Sequence, residues 1–285
     1  MIELRTTAHA KLNLTLDVVG KRPDGFHNLR MVMQEIDLGD DVTLRLETGR
    51  AWSVETDSGE IPCNERNLAV KAARLFLEAS KIDCGGLTVS IQKRIPVCAG
   101  MGGGSADGAA VLRLLYDHYQ KPFPEETLYR IAEQVGSDVP FALYGGTALA
   151  EEKGQILSRR SPMPDCVILL CKPGFPISTP ELFRAIDLER VSVRPETEKM
   201  CTALQNMDLR AVASLLCNVF EPVVLRDHPE IQEIENTMLS CGALNACMTG
   251  SGPTVFGLFE REREAKMCLE ILSRTYKDTF LTHPV

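Results

Sequence analysis

From Ala8 to Val18 the chain alternates without interruption. Ala8, Ala10, Leu12, Leu14, Leu16 and Val18 share one face of an extended segment, and His9, Lys11, Asn13, Thr15 and Asp17 share the other. A period of two predicts a half-buried strand with a wet polar face. Pro23-Asp24-Gly25 supplies a turn, since proline presets one dihedral and glycine tolerates positive φ. Strand-like stretches follow near Leu29 to Leu38 and Val42 to Leu46, so the chain begins as an antiparallel meander. Leu68, Ala72, Leu75, Phe76 and Ala79 change the period to helical and predict a helix over 65–80. Leu87, Val89 and Ile91 alternate again, and helices are expected over 105–119 and 125–135. Gly145-Gly146 and the polar run 151–155 then suggest a division between lobes, placed after residue 152. Beyond it the pattern predicts a buried strand at 167–170, helices at 203–217 and 229–241, a strand at 254–259 and a last helix at 261–276. Strands and helices mix without a regular βαβ alternation, which predicts an α+β fold.

Composition narrows the function classes. With 44% hydrophobic and 25% charged residues, the 285-residue chain has the makeup of a globular protein of two lobes. Its longest apolar run, Cys166 to Cys171, is too short to cross a bilayer, and the N-terminus lacks a secretory pattern, so a cytoplasmic location is expected. Ten cysteines without a Cys-x-x-Cys pair and five scattered histidines argue against a zinc site or a disulfide scaffold, and most of the thiols are expected to be reduced and buried. A net charge of −8 with no basic run disfavours nucleic acid as a partner, while leaving room for a small anion in a local pocket.

The stretch from Ile95 to Leu112 carries the clearest chemistry. Gly100, Gly102, Gly103, Gly104 and Ser105 lie between a strand and a helix, where bare backbone N–H groups and a helix N-terminus can close on a phosphate. The spacing fits neither the Walker loop nor the dinucleotide fingerprint. The alternative is a plain loop with Ser105 as N-cap. Lys11 and Asn13 could meet a substrate hydroxyl or phosphate, although a lysine on such a face is usually solvated. Asp138, among turn residues, could be a base or a cap. Phe26 and His27 could stack on a nucleobase and bond its edge, or be a core ring and a surface imidazole. The second glycine motif, residues 248–253, reads as a close backbone approach or a loop.

Three separated motifs, 10–27, 96–110 and 249–256, together resemble the GHMP kinase superfamily. The run Lys21-Arg22-Pro23-Asp24-Gly25-Phe26-His27 resembles the branch that acts on 4-diphosphocytidyl-2-C-methyl-D-erythritol. The resemblance implies an N-terminal ATP-binding lobe (1–152) like domain 2 of ribosomal protein S5 and a ferredoxin-like, substrate-binding C-terminal lobe (153–285), with the active cleft between them. It implies that ATP, accompanied by magnesium, phosphorylates the 2-hydroxyl of that cytidine-diphosphate sugar alcohol in non-mevalonate isoprenoid synthesis. Asp138 matches the catalytic base and Lys11 the lysine beside the reacting hydroxyl. Asn67, Lys93, Pro96, Gly100, Gly102, Gly103, Gly104 and Ser105 match nucleotide positions. Asn13, Phe26, His27, Thr179 and Phe183 match substrate contacts, with two aromatics sandwiching the cytosine. Ser105-Ala106-Asp107-Gly108 departs from the family's Ser-Ser-Asp-Ala, and the expected effect is a looser first helical turn and weaker ATP binding. Other small alcohols, a nucleotide sensor without turnover and an RNA-binding module are the competing expectations.

Overall fold

The computed structural model describes residues 1–49, 51–189 and 191–285. In chain order its elements are β1 (Ile2–Lys21), β2 (His27–Glu47), β3 (Ser53–Thr56), α1 (Leu68–Ser80), β4 (Gly86–Gln92), α2 (Gly103–His118), α3 (Glu125–Val135), α4 (Val139–Tyr144), β5 (Thr147–Glu152), β6 (Ile156–Arg159), β7 (Val167–Lys172), α5 (Thr179–Ala185), α6 (Thr197–Gln205), α7 (Leu209–Ser214), β8 (Cys217–Asn218), α8 (Glu221–Asp227), α9 (Glu230–Ser240), β9 (Asn245–Met248), β10 (Val255–Phe259), α10 (Glu262–Leu272) and β11 (Asp278–Thr282). The fold is α+β. The two stretches expected near residues 29–46 form one long strand. The helix expected at 203–217 is instead α6 and α7, interrupted at Asn206–Asp208, where Asp208 accepts a bond from Ala211 N–H at 3.0 Å and restarts the helix as N-cap.

Two compact units form. The first comprises Met1–Ala10, Leu38–Val97 and Gly102–Gly145, and the second Lys11–Asp37, Cys98–Met101 and Gly146–Val285. Compactness therefore does not follow one cut after residue 152, because β1 and β2 each give residues to both units. In the first unit the C-terminal half of β2 pairs antiparallel with β4, and β3 adds in parallel at the edge. The helices α1, α2, α3 and α4 pack with one another. Ala69, Ala72, Ala73 and Phe76 of α1 are buried with Ala109, Leu112 and Leu115 of α2. Small residues let these two helices approach closely. A Cβ on Gly108 would lie 3.3 Å from both Leu68 O and Val135 Cγ1. Glycine therefore relieves a tight contact at this position, where an alanine would ask its neighbours to give by a few tenths of an ångström.

In the second unit β7, β9, β10 and β11 form an antiparallel sheet in the order β11-β7-β10-β9. Counted from β7 as the first, this is the 4-1-3-2 order of a ferredoxin-like βαββαβ unit, with α9 and α10 as its helices. Ile231, Ile234 and Met238 of α9 and Ala265, Cys268 and Leu272 of α10 are buried, as are residues 167–171 of β7. Each large aliphatic side chain so buried contributes about 1.5–3 kcal/mol. Among the described residues all ten cysteines are free, but only Cys166, Cys171, Cys247 and Cys268 are buried, and Cys63 and Cys98 are exposed. The expectation of mostly buried thiols is corrected accordingly.

Glu235 is the exception on the buried face of α9. Its Oε2 accepts from Gln232 Nε2 at 3.0 Å and its Oε1 has no hydrogen-bond partner. Burial, and then repulsion from Glu221, pushes its pKa up from 4.5 to about 9. The folded chain holds this proton while the unfolded chain releases it above 4.5, so the linked stabilisation is complete below that pH and lost as pH rises through about 9. Glu235→Gln should therefore gain melting temperature relative to the parent progressively from about pH 5 to about pH 9. Parallel melting curves across that range would mean that Glu235 is already ionised in the fold.

Candidate active site

In the first unit the glycine run starts α2. Gly102, at φ 71°, is the N-cap, and its carbonyl accepts from Ala106 N–H at 2.9 Å. Ser105 is therefore inside the first turn rather than the cap. The N–H groups of Gly103, Gly104 and Ser105 have no acceptor within the helix and lie at its positive end, a site suited to phosphate oxygens. Pro96 is half-buried where the chain enters the loop.

Lys93 underlies this turn. Its ammonium is paired with Asp40 Oδ2 and with Asp107 Oδ2 at 3.0 Å, and all three side chains are nearly inaccessible. Asp40 Oδ1 also accepts from Arg94 N–H at 2.5 Å and Ile95 N–H at 2.8 Å, fixing the chain as it turns toward the glycines. Burial alone would lower the Lys93 pKa, but Asp107 and Asp40 together hold it above the ordinary lysine value. Burial, with Asp40 beside it, pushes Asp107 up to about 7 against the pull of Lys93. Lys93 thus braces the glycine turn from beneath. A Cβ on Gly103 would come within 3.3 Å of its Nζ. Asn67 is the N-cap of α1, its Oδ1 accepting from Ala69 N–H at 2.9 Å and its Nδ2 donating to Pro62 O at 3.0 Å. Asp138 occupies the N-cap position of α4, yet its carboxylate makes no capping bond. A cavity of about 410 Å³ in this unit is lined by Trp52, Cys63, Val70, Lys71, Arg74 and Leu87, none of them a candidate site residue.

In the second unit the polar face of β1 is not wet. Lys11 is 7% exposed and Asn13 1%, and Thr15 and Asp17 are buried too. A buried ammonium is rare unless it is bonded. Here Lys11 Nζ donates to Asn13 Oδ1 at 2.6 Å and to Gly100 O at 2.8 Å. Asn13 N–H donates to Thr249 Oγ1 at 2.9 Å, and Lys11 N–H to Met101 O at 3.1 Å. The two glycine motifs meet here. A Cβ on Gly250, at φ 58°, would stand 2.5 Å from Gly100 O and 3.1 Å from Lys11 Nζ, and one on Gly100 would stand 2.4 Å from Thr249 O. Any side chain at either position would displace backbone, so the second motif is a close approach and not a plain loop.

The same unit carries the aromatic residues. Gly25 N–H donates to Arg22 O and Arg22 N–H to Phe26 O, closing the turn between β1 and β2. Phe26 at its tip is 61% exposed, with Lys153 Nζ 5.4 Å from its ring centre. It is not a core ring. His27 stacks on Phe183 with centroids 5.0 Å apart, and Phe183 meets the edge of Phe220 at 4.8 Å. Burial, and then the charge of Lys21, lowers the His27 pKa, keeping the imidazole neutral and able both to donate and to accept. Thr179 Oγ1 and Ser251 Oγ share a hydrogen bond of 2.8 Å, so α5 meets the second glycine motif.

Pattern reasoning did not find Asp40, Asn218 or Glu221, and it placed Asp107 in the first helical turn without its pairing to Lys93. Asn218, buried in β8, donates from Nδ2 to Met248 O at 2.7 Å and Gly250 O at 2.8 Å, and Glu221 Oε2 accepts from Met248 N–H at 2.6 Å. Each is an isolated polar residue whose partner lies far away in the chain. Among the described residues, no group of three His, Cys, Asp or Glu side chains could hold a metal ion, and no helix is long and apolar enough to cross a membrane.

Residues 67–146 match the family model of the GHMP kinases N terminal domain, and residues 200–278 match that of GHMP kinases C terminal. A 4-diphosphocytidyl-2-C-methyl-D-erythritol kinase of Clostridium botulinum (strain Kyoto / Type A2) is 39% identical over 278 residues, 98% of this chain and 99% of that protein. The kinase of the same name from Lachnoclostridium phytofermentans is 41% identical over 277 residues, 96% and 95% of the two chains. A crystal structure of 4-(cytidine 5'-diphospho)-2C-methyl-D-erythritol kinase matches with a TM-score of 0.84 at 30% identity, covering 99% of each chain. Motif order, fold and full-length similarity agree, and the chain belongs to the GHMP kinases and, within them, to the 4-diphosphocytidyl-2-C-methyl-D-erythritol kinase family.

Proposed function

We propose that the protein transfers the γ-phosphoryl group of ATP to the 2-hydroxyl of 4-diphosphocytidyl-2-C-methyl-D-erythritol, giving the 2-phosphate and ADP, as a cytoplasmic enzyme of the non-mevalonate isoprenoid route. The observation that carries this reading is the buried Lys11 ammonium, pinned by Asn13 and the carbonyl of Gly100. Burying a cation costs several kcal/mol unless it is well bonded, and a fixed cation beside a glycine turn suits a reaction that develops negative charge on phosphate.

Asp138 accepts the hydroxyl proton as the alcohol oxygen forms its bond to the γ-phosphorus and the bond from that phosphorus to the bridging oxygen breaks. Lys11 screens the charge of the attacking oxygen and the phosphoryl group. The N–H groups at the start of α2 bind phosphate oxygens, and Lys93, held by Asp40 and Asp107, keeps that turn in place. Phosphoryl transfer depends on such positioning and neutralisation more than on covalent help. His27 and Phe183 offer ring faces and a neutral imidazole edge suited to cytosine, with Phe26, Asn13 and Thr179 as further contacts. Magnesium takes most of its ligands from phosphates and water and so needs no three-carboxylate cage, of which there is none among the described residues; the Ser105 hydroxyl would be its protein ligand, and the ion would neutralise phosphate charge.

The test is ADP release from magnesium-ATP with 4-diphosphocytidyl-2-C-methyl-D-erythritol, homoserine, mevalonate or no acceptor. Release is expected with the cytidine compound alone. Release with another alcohol instead would replace the substrate, and silence from folded protein that still binds ATP would turn the reading to a sensor.

A further inference from the structure

The edge of the ferredoxin-like sheet is held in an unusual way. β9 is an edge strand, so the N–H and C=O that Met248 directs away from β10 need partners outside the sheet. Both are taken by side chains from one short segment, Glu221 bonding the N–H and Asn218 the C=O. The second amide hydrogen of Asn218 goes to Gly250 O, and its Oδ1 accepts from Phe220 N–H at 3.0 Å, so the whole amide is committed. The same segment is anchored on β1, since β8 pairs in parallel at Thr15 and Leu16 and Val219 N–H donates to Leu16 O at 3.1 Å. One side of this brace therefore grips the strand that carries Lys11 and Asn13. The other grips the turn whose Thr249 hydroxyl and Gly250 backbone abut Asn13 and Gly100.

We propose that Asn218 and Glu221 are positioning residues for phosphoryl transfer, fixing the Met248–Gly250 backbone against which Lys11 and Gly100 are set. The inference rests on the kinase reading above. A shift of the turn toward Gly100 has little room, because the two backbones lie so close that a Cβ on Gly250 would stand 2.5 Å from Gly100 O. Movement there passes to the carbonyl that receives the Lys11 ammonium. The surroundings support a single, defined acceptor for Met248 N–H. Glu235 of α9, Cys217 of β8 and Cys247 of β9 all face Glu221, and burial foremost raises the pKa of each, to about 9, to about 11 and well above the ordinary value. Burial thus favours the neutral form of all three groups packed around the Glu221 side chain.

The experiment compares the full-length parent with Glu221→Ala, Glu221→Gln and Asn218→Asp in steady-state kinetics with magnesium-ATP and 4-diphosphocytidyl-2-C-methyl-D-erythritol, normalised to folded protein. Peptide-level hydrogen exchange over residues 245–254 is read in parallel. Glu221→Ala and Asn218→Asp are expected to lower kcat by about tenfold or more while each KM stays within about threefold. Glutamine can still accept from Met248 N–H, so Glu221→Gln should recover most of the lost kcat and restore slow exchange. An unchanged kcat in Glu221→Ala, or equal damage from alanine and glutamine, would overturn the proposal while an active parent leaves the kinase reading standing. If Asn218→Asp does not fold, the two Glu221 variants decide alone. A folded parent that turns over nothing with this acceptor would overturn both.

Discussion

Asp138→Asn is expected to fold, bind ATP and lose kcat by about 10²–10⁴-fold, the range that a positioned general base contributes. The substitution separates two roles that the sequence leaves open. Asparagine caps helices as well as aspartate does, so a carboxylate whose task was to start α4 would be replaced almost silently. In the fold the residue stands at the N-cap position of α4 without a side-chain capping bond, so a loss of that cap alone would cost little. Asparagine keeps the shape and one hydrogen-bonding oxygen and removes the negative charge together with the capacity to take a proton. A large loss of kcat at an unchanged melting temperature therefore belongs to the chemistry. ADP release measured beside a thermal melt gives the answer, and a kcat within about threefold of the parent would remove Asp138 as the base.

Much of the architecture was legible because long elements repeat their pattern. The β1 alternation, the α1 and α9 periodicities and the apolar runs of β7 and β10 all became the elements they predicted. What the pattern could not say is that the polar face of β1 is also buried. Alternation reports which side is apolar and is silent on whether the other side meets water or protein. The pattern alone therefore left a solvated Lys11 open, and its bonds to Asn13 and Gly100 show that it is buried instead. The short helices α4, α5 and α8 escaped because six or seven residues complete too few turns to set a period. The glycine motifs were legible as motifs, and their meeting at Gly100 and Gly250 was not. Asp40, Asn218 and Glu221, and the pairing of Asp107, were invisible for a related reason. A lone buried polar residue is explained only by its partner, and Lys93 is 53 residues from Asp40 as Asn218 is 30 from Met248.

Lys11→Met should reduce kcat by about 10²–10³-fold, in the range of losing one positioned group that stabilises transition-state charge. Its effect on stability is expected to be much smaller than removal of a buried ion suggests, because two terms oppose. Methionine leaves Asn13 Oδ1 and Gly100 O without their donor, at a cost of about 1–3 kcal/mol each. It also abolishes the desolvation of a buried ammonium, a penalty of several kcal/mol. Methionine has nearly the length of lysine and fills the same space, so the melting temperature should move by a few degrees in either direction while turnover collapses. Lys11→Arg then asks whether the charge or its position matters. A Cβ on Gly250 would stand only 3.1 Å from the lysine nitrogen, and Gly100 closes the same corner, so the broader guanidinium has no room to keep both acceptors at their present distances. Arginine restores the charge without restoring the compact point donor, and kcat should stay below about a tenth of the parent value. If arginine instead recovers most of the activity, the site needs only positive potential, and the paired bonds to Asn13 and Gly100 are a consequence of burial rather than the means by which the ammonium is aimed.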